Sequence, residues 1–189
     1  MAIFPFASLI SFFWLVWLAY WIFSAFDVKK TAQHSRPWAN GWLVRAAMVI
    51  VVIFILSHFG PTGFFNYNAP LWLAVLGDIL CGIGLAFAIW ARVHLGRNWS
   101  GVPSLKEDHE LITSGPYRFV RHPIYTGIIV ALLGTALVLS SVFWYFFFSV
   151  LAIMFIWRIP IEERLMMETF PKQYPEYKKR TKALMPFIW

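Results

Sequence analysis

Arg158 and Glu162 stand four residues apart, the spacing that sets a guanidinium and a carboxylate on one face of a helix. Pro160 between them takes away a backbone donor and leaves a carbonyl without its helical partner. At membrane depth such a break is tolerated chiefly where it lines a cavity. A second cluster, Arg121-His122-Pro123-Ile124-Tyr125, combines a guanidinium, an imidazole and a phenol with a proline suited to a helix's first turn. The N–H groups of that turn would form a ready site for a carboxylate or a phosphate. Taken singly, each cluster has a plainer explanation. Arg118 and Arg121 could hold lipid headgroups, and Arg158 could snorkel to the interface beside a local ion pair. Brought together, they would form a polar pocket able to orient an anionic ligand.

Between Arg121 and Arg158 there is no Asp, Glu, Lys or Arg. As one helix this run would reach roughly 54 Å, far beyond a hydrocarbon core of ~30 Å. As two helices turning near Ser140-Ser141 it spans one bilayer twice, and both clusters return to the same face. One long tilted helix would instead export the basic tail, against the charge bias of membrane proteins.

The 189-residue chain is 60% hydrophobic and 20% aromatic with only 13% charged residues, an integral membrane composition suited to one compact helical domain. Apolar stretches at 3–26, 42–59, 70–91, 123–140 and 141–158 predict five transmembrane helices. All 16 Lys and Arg fall in or beside 27–45, 92–121 and 158–182, whereas the turns near 60–69 and 140–141 carry no charge. This predicts an outer amino terminus, a cytoplasmic carboxyl terminus and a multi-pass protein whose site faces the cytoplasm. The first stretch is too long for a signal-peptide core and lacks a basic flank, so it reads as the first span. A three-span part, 1–91, precedes a catalytic part, 92–189, containing the hairpin 122–158 and a tail, 159–189. The fold class is all-α, with a cytoplasmic pocket between the 92–121 loop and the helical tail. The aromatic run beginning at Phe143 suits the outer interface. The +7 net charge reflects the membrane-facing distribution of basic residues and does not indicate nucleic acid.

Other polar groups carry less. Asp78 lies deep in the third span, about 21 Å from its inner end, with His58 near the outer end of the second span as a possible partner. Gly77, Gly82 and Gly84 would permit close helix approach. His94, His109 and His122 have no compact ligand spacing, so no metal is expected. The single Cys81 excludes an internal disulfide.

Several ordered segments resemble the isoprenylcysteine carboxyl methyltransferase family, with parts shared by phospholipid methyltransferases. They are Leu95-Gly96-Arg97-Asn98-Trp99-Ser100, His109-x-Leu111, Gly115-x-Tyr117, Arg121-His122-Pro123-x-Tyr125-x-Gly127 and Glu162-Glu163, followed by Tyr174-x-x-Tyr177 and Pro186-Phe187. The resemblance covers about residues 90–187, with Phe170-Pro171 standing where members often have Phe-Gly. It implies that the cytoplasmic pocket between the 92–121 loop and the helical tail is a cofactor pocket, an S-adenosyl-L-methionine site surrounded by His109, Glu110, Leu111, Ile112, Tyr117, His122, Pro123, Ile124, Tyr125 and Glu162. Arg158 would face the methyl acceptor, making Arg158 and Glu162 the catalytic pair. The soluble-methyltransferase glycine fingerprint Gly-x-Gly-x-x-Gly is absent from the sequence.

The residues suit that chemistry. A carboxylate acceptor is ionised at neutral pH and needs no general base, whereas an amine acceptor does. An arginine beside the acceptor favours the anion. The expected partners are therefore membrane lipids and a lipophilic, prenylcysteine-like carboxylate, with neither nucleic acid nor metal. Alternatives are a phospholipid-amine N-methyltransferase, in which Glu163 or His122 would serve as base, a sterol-reductase-type enzyme, and a non-enzymatic scaffold or permease component.

Overall fold

A computed structural model describes residues 4–26, 31–34, 69–99, 104–106 and 110–186. The expected second span, 42–59, and His58 lie outside the described residues. Helices α1 (Phe4–Ala25), α2 (Leu71–Leu95), α3 (Pro123–Leu139), α4 (Val142–Thr169) and α5 (Gln173–Arg180) make up most of the structure. Single 3-10 turns lie at Gly96–Asn98 and Gly115–Arg118. Among the described residues, three helical segments, Phe6–Ala25, Leu71–Asn98 and Val142–Thr169, are long and apolar enough to cross a membrane. At 17 residues α3 is shorter, about 26 Å at the usual helical rise.

Two features add to the sequence expectation. A short antiparallel ribbon joins β1 (Thr31–His34) to β2 (Ser104–Lys106) beside the helices that make up the all-α architecture. In addition, α4 continues unbroken past Arg158 and through Pro160 to Thr169, so the hairpin's second arm extends well beyond residue 158. Its 28 residues span roughly 42 Å, enough to cross a bilayer and project beyond it. The helix-compatible residues after Pro160, among them Glu162, Glu163, Arg164 and Leu165, sustain that projection.

The turn between α3 and α4 is local and polar. Ser140 adopts a left-handed conformation (φ 42°), and its N–H donates to Ala136 O at 2.9 Å to close α3. Ser141 is extended, and its hydroxyl accepts from the Trp144 N–H at the start of α4. Leu132 and Ala136 of α3 then pack against Trp144, Phe147 and Leu151 of α4. The returning helix brings its far end back to the start of α3, where the Tyr125 hydroxyl meets Glu162.

Packing between α2 and α3 relies on reciprocal glycines. A Cβ at Gly84 would lie 2.5 Å from Gly127 O, and a Cβ at Gly127 would lie 2.5 Å from Gly84 O. Gly77 and Gly134 repeat the arrangement one heptad away. The sequence singles out Gly77 and Gly84, but their partners become evident only from the antiparallel register. Gly82 faces elsewhere: its missing side chain makes room for the Phe13 ring of α1.

The carboxyl ends of α1 and α2 meet through Arg92. This buried side chain donates to Ser24 O at 2.6 Å and Gly96 O at 2.8 Å, and its guanidinium lies 4.5 Å from the Trp99 ring centroid. The two helices therefore run parallel. Further down α1, the Trp14 indole N–H donates to Thr135 of α3 at 3.0 Å. Asp78 is buried between α1 and α2, and its carboxylate oxygens have no hydrogen-bond partner among the described residues.

Gly84→Ala is expected to destabilise the protein by about 1–3 kcal/mol, because its methyl group would meet backbone that cannot rotate away. Gly82→Ala meets an aromatic edge and should cost less. Thermal unfolding of both variants in one detergent measures the difference; equal losses would remove the special role of the α2–α3 contact.

Candidate active site

Adjacent helical residues project about 100° apart, so Glu162 and Glu163 of α4 address different neighbours. Glu162 faces the hairpin. Its Oε1 accepts from Arg158 Nε at 2.5 Å and from the Tyr125 hydroxyl at 2.5 Å. Glu163 faces the tail, where its Oε1 accepts from Arg121 Nε at 2.7 Å and its Oε2 lies 2.6 Å from Lys178 Nζ. The Arg158 side chain is only 4% exposed, whereas that of Glu162 is 21% exposed and can be reached by a ligand.

His122 sits between the two carboxylates, with Nδ1 3.6 Å from Glu162 Oε2 and Nε2 3.6 Å from Glu163 Oε1. These separations exceed hydrogen-bond length and act as charge contacts. Burial opposes a positive imidazole, but the facing carboxylates outweigh it and hold the His122 pKa above its ordinary 6.5. The ring stacks on Tyr125 at 5.5 Å with an interplanar angle of 8°, and Tyr125 packs in turn against Phe155 at 4.8 Å.

The segment after α5 runs beside the entrance to α3. Arg121 N–H donates to Lys182 O at 2.9 Å and His122 N–H to Ala183 O at 3.0 Å, a short parallel pairing. The Arg121 guanidinium also donates to Thr181 O, and the Thr126 hydroxyl donates to Leu184 O at 2.8 Å. Arg121 is thus committed to protein partners, in contrast to the lipid-headgroup reading. Ala183 and Leu184 complete an apolar cluster with Ile159, Tyr125 and Ile129.

The residues singled out in the sequence are distributed unevenly. Arg158, Glu162, His122 and Tyr125 converge, with buried Pro123 and half-buried Ile124 opening α3 beside them. Tyr117 is buried, but its phenol donates to Ala91 O at 3.4 Å and its carbonyl accepts from the Tyr177 hydroxyl at 2.7 Å. Glu110 is exposed and Leu111 and Ile112 are half-buried in the strand-free segment before the 3-10 turn. His94 anchors that turn through Ser114 at 2.9 Å, and its ring occupies the space a side chain at Gly115 would need. His109 lies outside the described residues. Among the described residues, no cluster of three or more His, Cys, Asp or Glu could hold a metal ion.

Arg121, Glu163 and Lys178 form a set that sequence spacing did not reveal. The doubled glutamate was the available signal, but its partners lie in separate elements and only the fold joins them.

Residues 72–173 match the phospholipid methyltransferase family model. A probable protein-S-isoprenylcysteine O-methyltransferase of Oryza sativa subsp. indica is 31% identical over 191 residues, covering 93% of this chain and 96% of the relative. The chain belongs to the protein-S-isoprenylcysteine O-methyltransferase family. The family's Saccharomyces cerevisiae protein-S-isoprenylcysteine O-methyltransferase is 30% identical, with 90% of this chain and 74% of the relative covered. A solved family structure, the eukaryotic intramembrane Ras methyltransferase (isoprenylcysteine carboxyl methyltransferase), matches with a TM-score of 0.57 and 27% identity. That match covers 79% of this chain and 53% of the solved one, so the chain spans about half the length of that structure. The shared architecture identifies a helical membrane protein of this family.

The raised His122 pKa gives a pH signature. Stabilisation by its imidazolium is fully present below the ordinary 6.5 and is lost as pH rises through the higher folded value. The melting-temperature advantage of the wild type over His122→Gln should therefore shrink as pH is raised from below 6.5 through the higher folded value. A pH-independent gap would show that the two carboxylates do not charge the ring.

Proposed function

We propose that the chain transfers a methyl group from S-adenosylmethionine to the carboxylate of a lipophilic, prenylcysteine-like acceptor at the cytoplasmic face of the membrane. The observation carrying this reading is the Arg158–Glu162–Tyr125 constellation at the polar end of an apolar hairpin, in a chain of this family. When bound, S-adenosylmethionine supplies the electrophilic methyl group. The donor set suits its zwitterionic head: Glu162 is 21% exposed and supplies the anion that an ammonium needs. We assign Glu162, His122, Pro123, Ile124, Tyr125 and the His109–Ile112 portion of the loop to the cofactor side.

Arg158 would orient the acceptor carboxylate. Buried beneath the helix ends, it sits where one attacking oxygen could be aligned and stripped of water. Glu162 and Tyr125 hold its guanidinium in place through their shared oxygen. No general base is required for an ionised acid. An amine acceptor would instead need a base to take its proton before transfer. The phospholipid methyltransferase match keeps an amine acceptor as the second reading.

We assign the chain five spans, with the site on the inner side. The parallel course of α1 and α2 supports this arrangement, since two helices crossing in the same direction require the intervening chain to return. The sequence assigns that return to residues 42–59. The α3 entrance and the ends of α1, α2 and α4 then share one face.

Arg158→Ala should reduce methyl transfer to an N-acetyl prenylcysteine by about a hundredfold while S-adenosylhomocysteine binding changes less than about threefold. Arg158→Lys should recover only part of the loss, because an ammonium lacks the planar fork. Equal losses of turnover and cofactor binding would remove the acceptor role. Label transferred from S-adenosylmethionine should be released by mild base as methanol; base-stable label would favour an amine acceptor.

A further inference from the structure

The doubled glutamate invites one shared role, but its two side chains occupy different environments. Glu162 is 21% exposed and faces Arg158 and Tyr125, whereas Glu163 is 6% exposed and has both oxygens occupied. One oxygen of Glu163 accepts from Arg121 and the other pairs with Lys178, leaving no side open to a ligand. The same Arg121 guanidinium reaches the Lys178 and Thr181 carbonyls. Glu163 therefore neutralises the cation that holds the tail's backbone. Its Oε1 also faces His122 Nε2, while His122 Nδ1 faces Glu162.

We propose that Glu163 is a positioning residue distinct from Glu162: through Arg121 and Lys178 it latches residues 181–184 against the α3 entrance and thereby fixes His122 beside Glu162. The inference rests on the methyltransferase reading for its consequence in catalysis, but the latch itself can be measured without any substrate. Removing the Glu163 charge leaves Arg121 and Lys178 without their common anion. Arg121 then has reason to turn towards water, and the carbonyls it holds are released. The His122 N–H to Ala183 O bond is the next to open, freeing the imidazole to turn away from Glu162. Cofactor binding should weaken more than the rate of transfer from the occupied site.

The test uses the full chain in lipid nanodiscs, comparing Glu163→Gln, Lys178→Gln and Glu162→Gln with wild type. Trypsin cleavage after Lys182, whose carbonyl accepts from Arg121 N–H, reports release of the tail. Glu163→Gln should accelerate it about tenfold, Lys178→Gln less, and Glu162→Gln by under about twofold. Glu163→Gln should also raise the KM for S-adenosylmethionine about tenfold with kcat within about twofold, a split that a reduced folded fraction cannot produce. Glu163→Asp should restore part of the wild-type KM. Unchanged cleavage in a folded Glu163→Gln, or in Lys178→Gln where Glu163→Gln does not fold, or identical kinetic losses in Glu162→Gln and Glu163→Gln, would overturn the proposal. Lys178→Gln retains the buried Arg121–Glu163 pair and keeps the cleavage test decisive if Glu163→Gln fails to fold. Altered tail cleavage in protein that neither binds S-adenosylhomocysteine nor transfers methyl would uphold the latch and refute the methyltransferase reading.

Discussion

The contact on which the rest of the structure depends is the approach of α2 and α3 to backbone distance. In hydrocarbon, helices gain little by burying apolar side chains, since lipid tails solvate those side chains equally well. Association depends instead on close packing and on small residues. The glycine pairs Gly84/Gly127 and Gly77/Gly134 permit such packing and fix the antiparallel register. That register sets the level of the α3 entrance relative to Arg92 and the carboxyl end of α2. The serine turn then returns α4 along α3 and delivers its polar end to the same level.

Once those levels are fixed, electrostatics can be local. No charged residue interrupts the hairpin between Arg121 and Arg158, so its polar side chains meet at one end. There, cations and carboxylates are interleaved: Arg158 with Glu162, Arg121 and Lys178 with Glu163, and His122 between the two acids. A buried ion pair contributes little net stability relative to apolar packing, but losing one partner is costly. The arrangement therefore favours one geometry over alternatives more than it adds raw stability. It also keeps a strongly charged set of groups beside an apolar hairpin without exposing each charge separately to hydrocarbon.

Much of this was legible in the sequence, for identifiable reasons. The charge-free run had too many residues for a single span, and Ser140-Ser141 offered the place to turn. Arg158 and Glu162 followed helical spacing, and the grouping of His122, Pro123 and Tyr125 supplied the facing cluster. The end of α4 was less legible because the apolar pattern stops at Arg158 while helix propensity continues through Glu162, Glu163, Arg164 and Leu165. The antiparallel ribbon depends on pairing between segments far apart in sequence, which short strands do not announce. Likewise, neither the attachment of Arg121 to Glu163 nor the tail pairing follows from a local period. Tyr117 illustrates the opposite problem: the motif identifies the residue, but only the packed structure shows its phenol directed at Ala91.

The pairing of residues 120–122 with 182–184 also imposes an order on biosynthesis. Both arms of the hairpin can enter the bilayer while the later segment is still within the ribosome. The site, however, lacks part of its wall until residues 181–184 have emerged and folded back. Membrane insertion and completion of the polar site are thus separated in time. The nascent chain acquires its anchors before it acquires the geometry needed for chemistry.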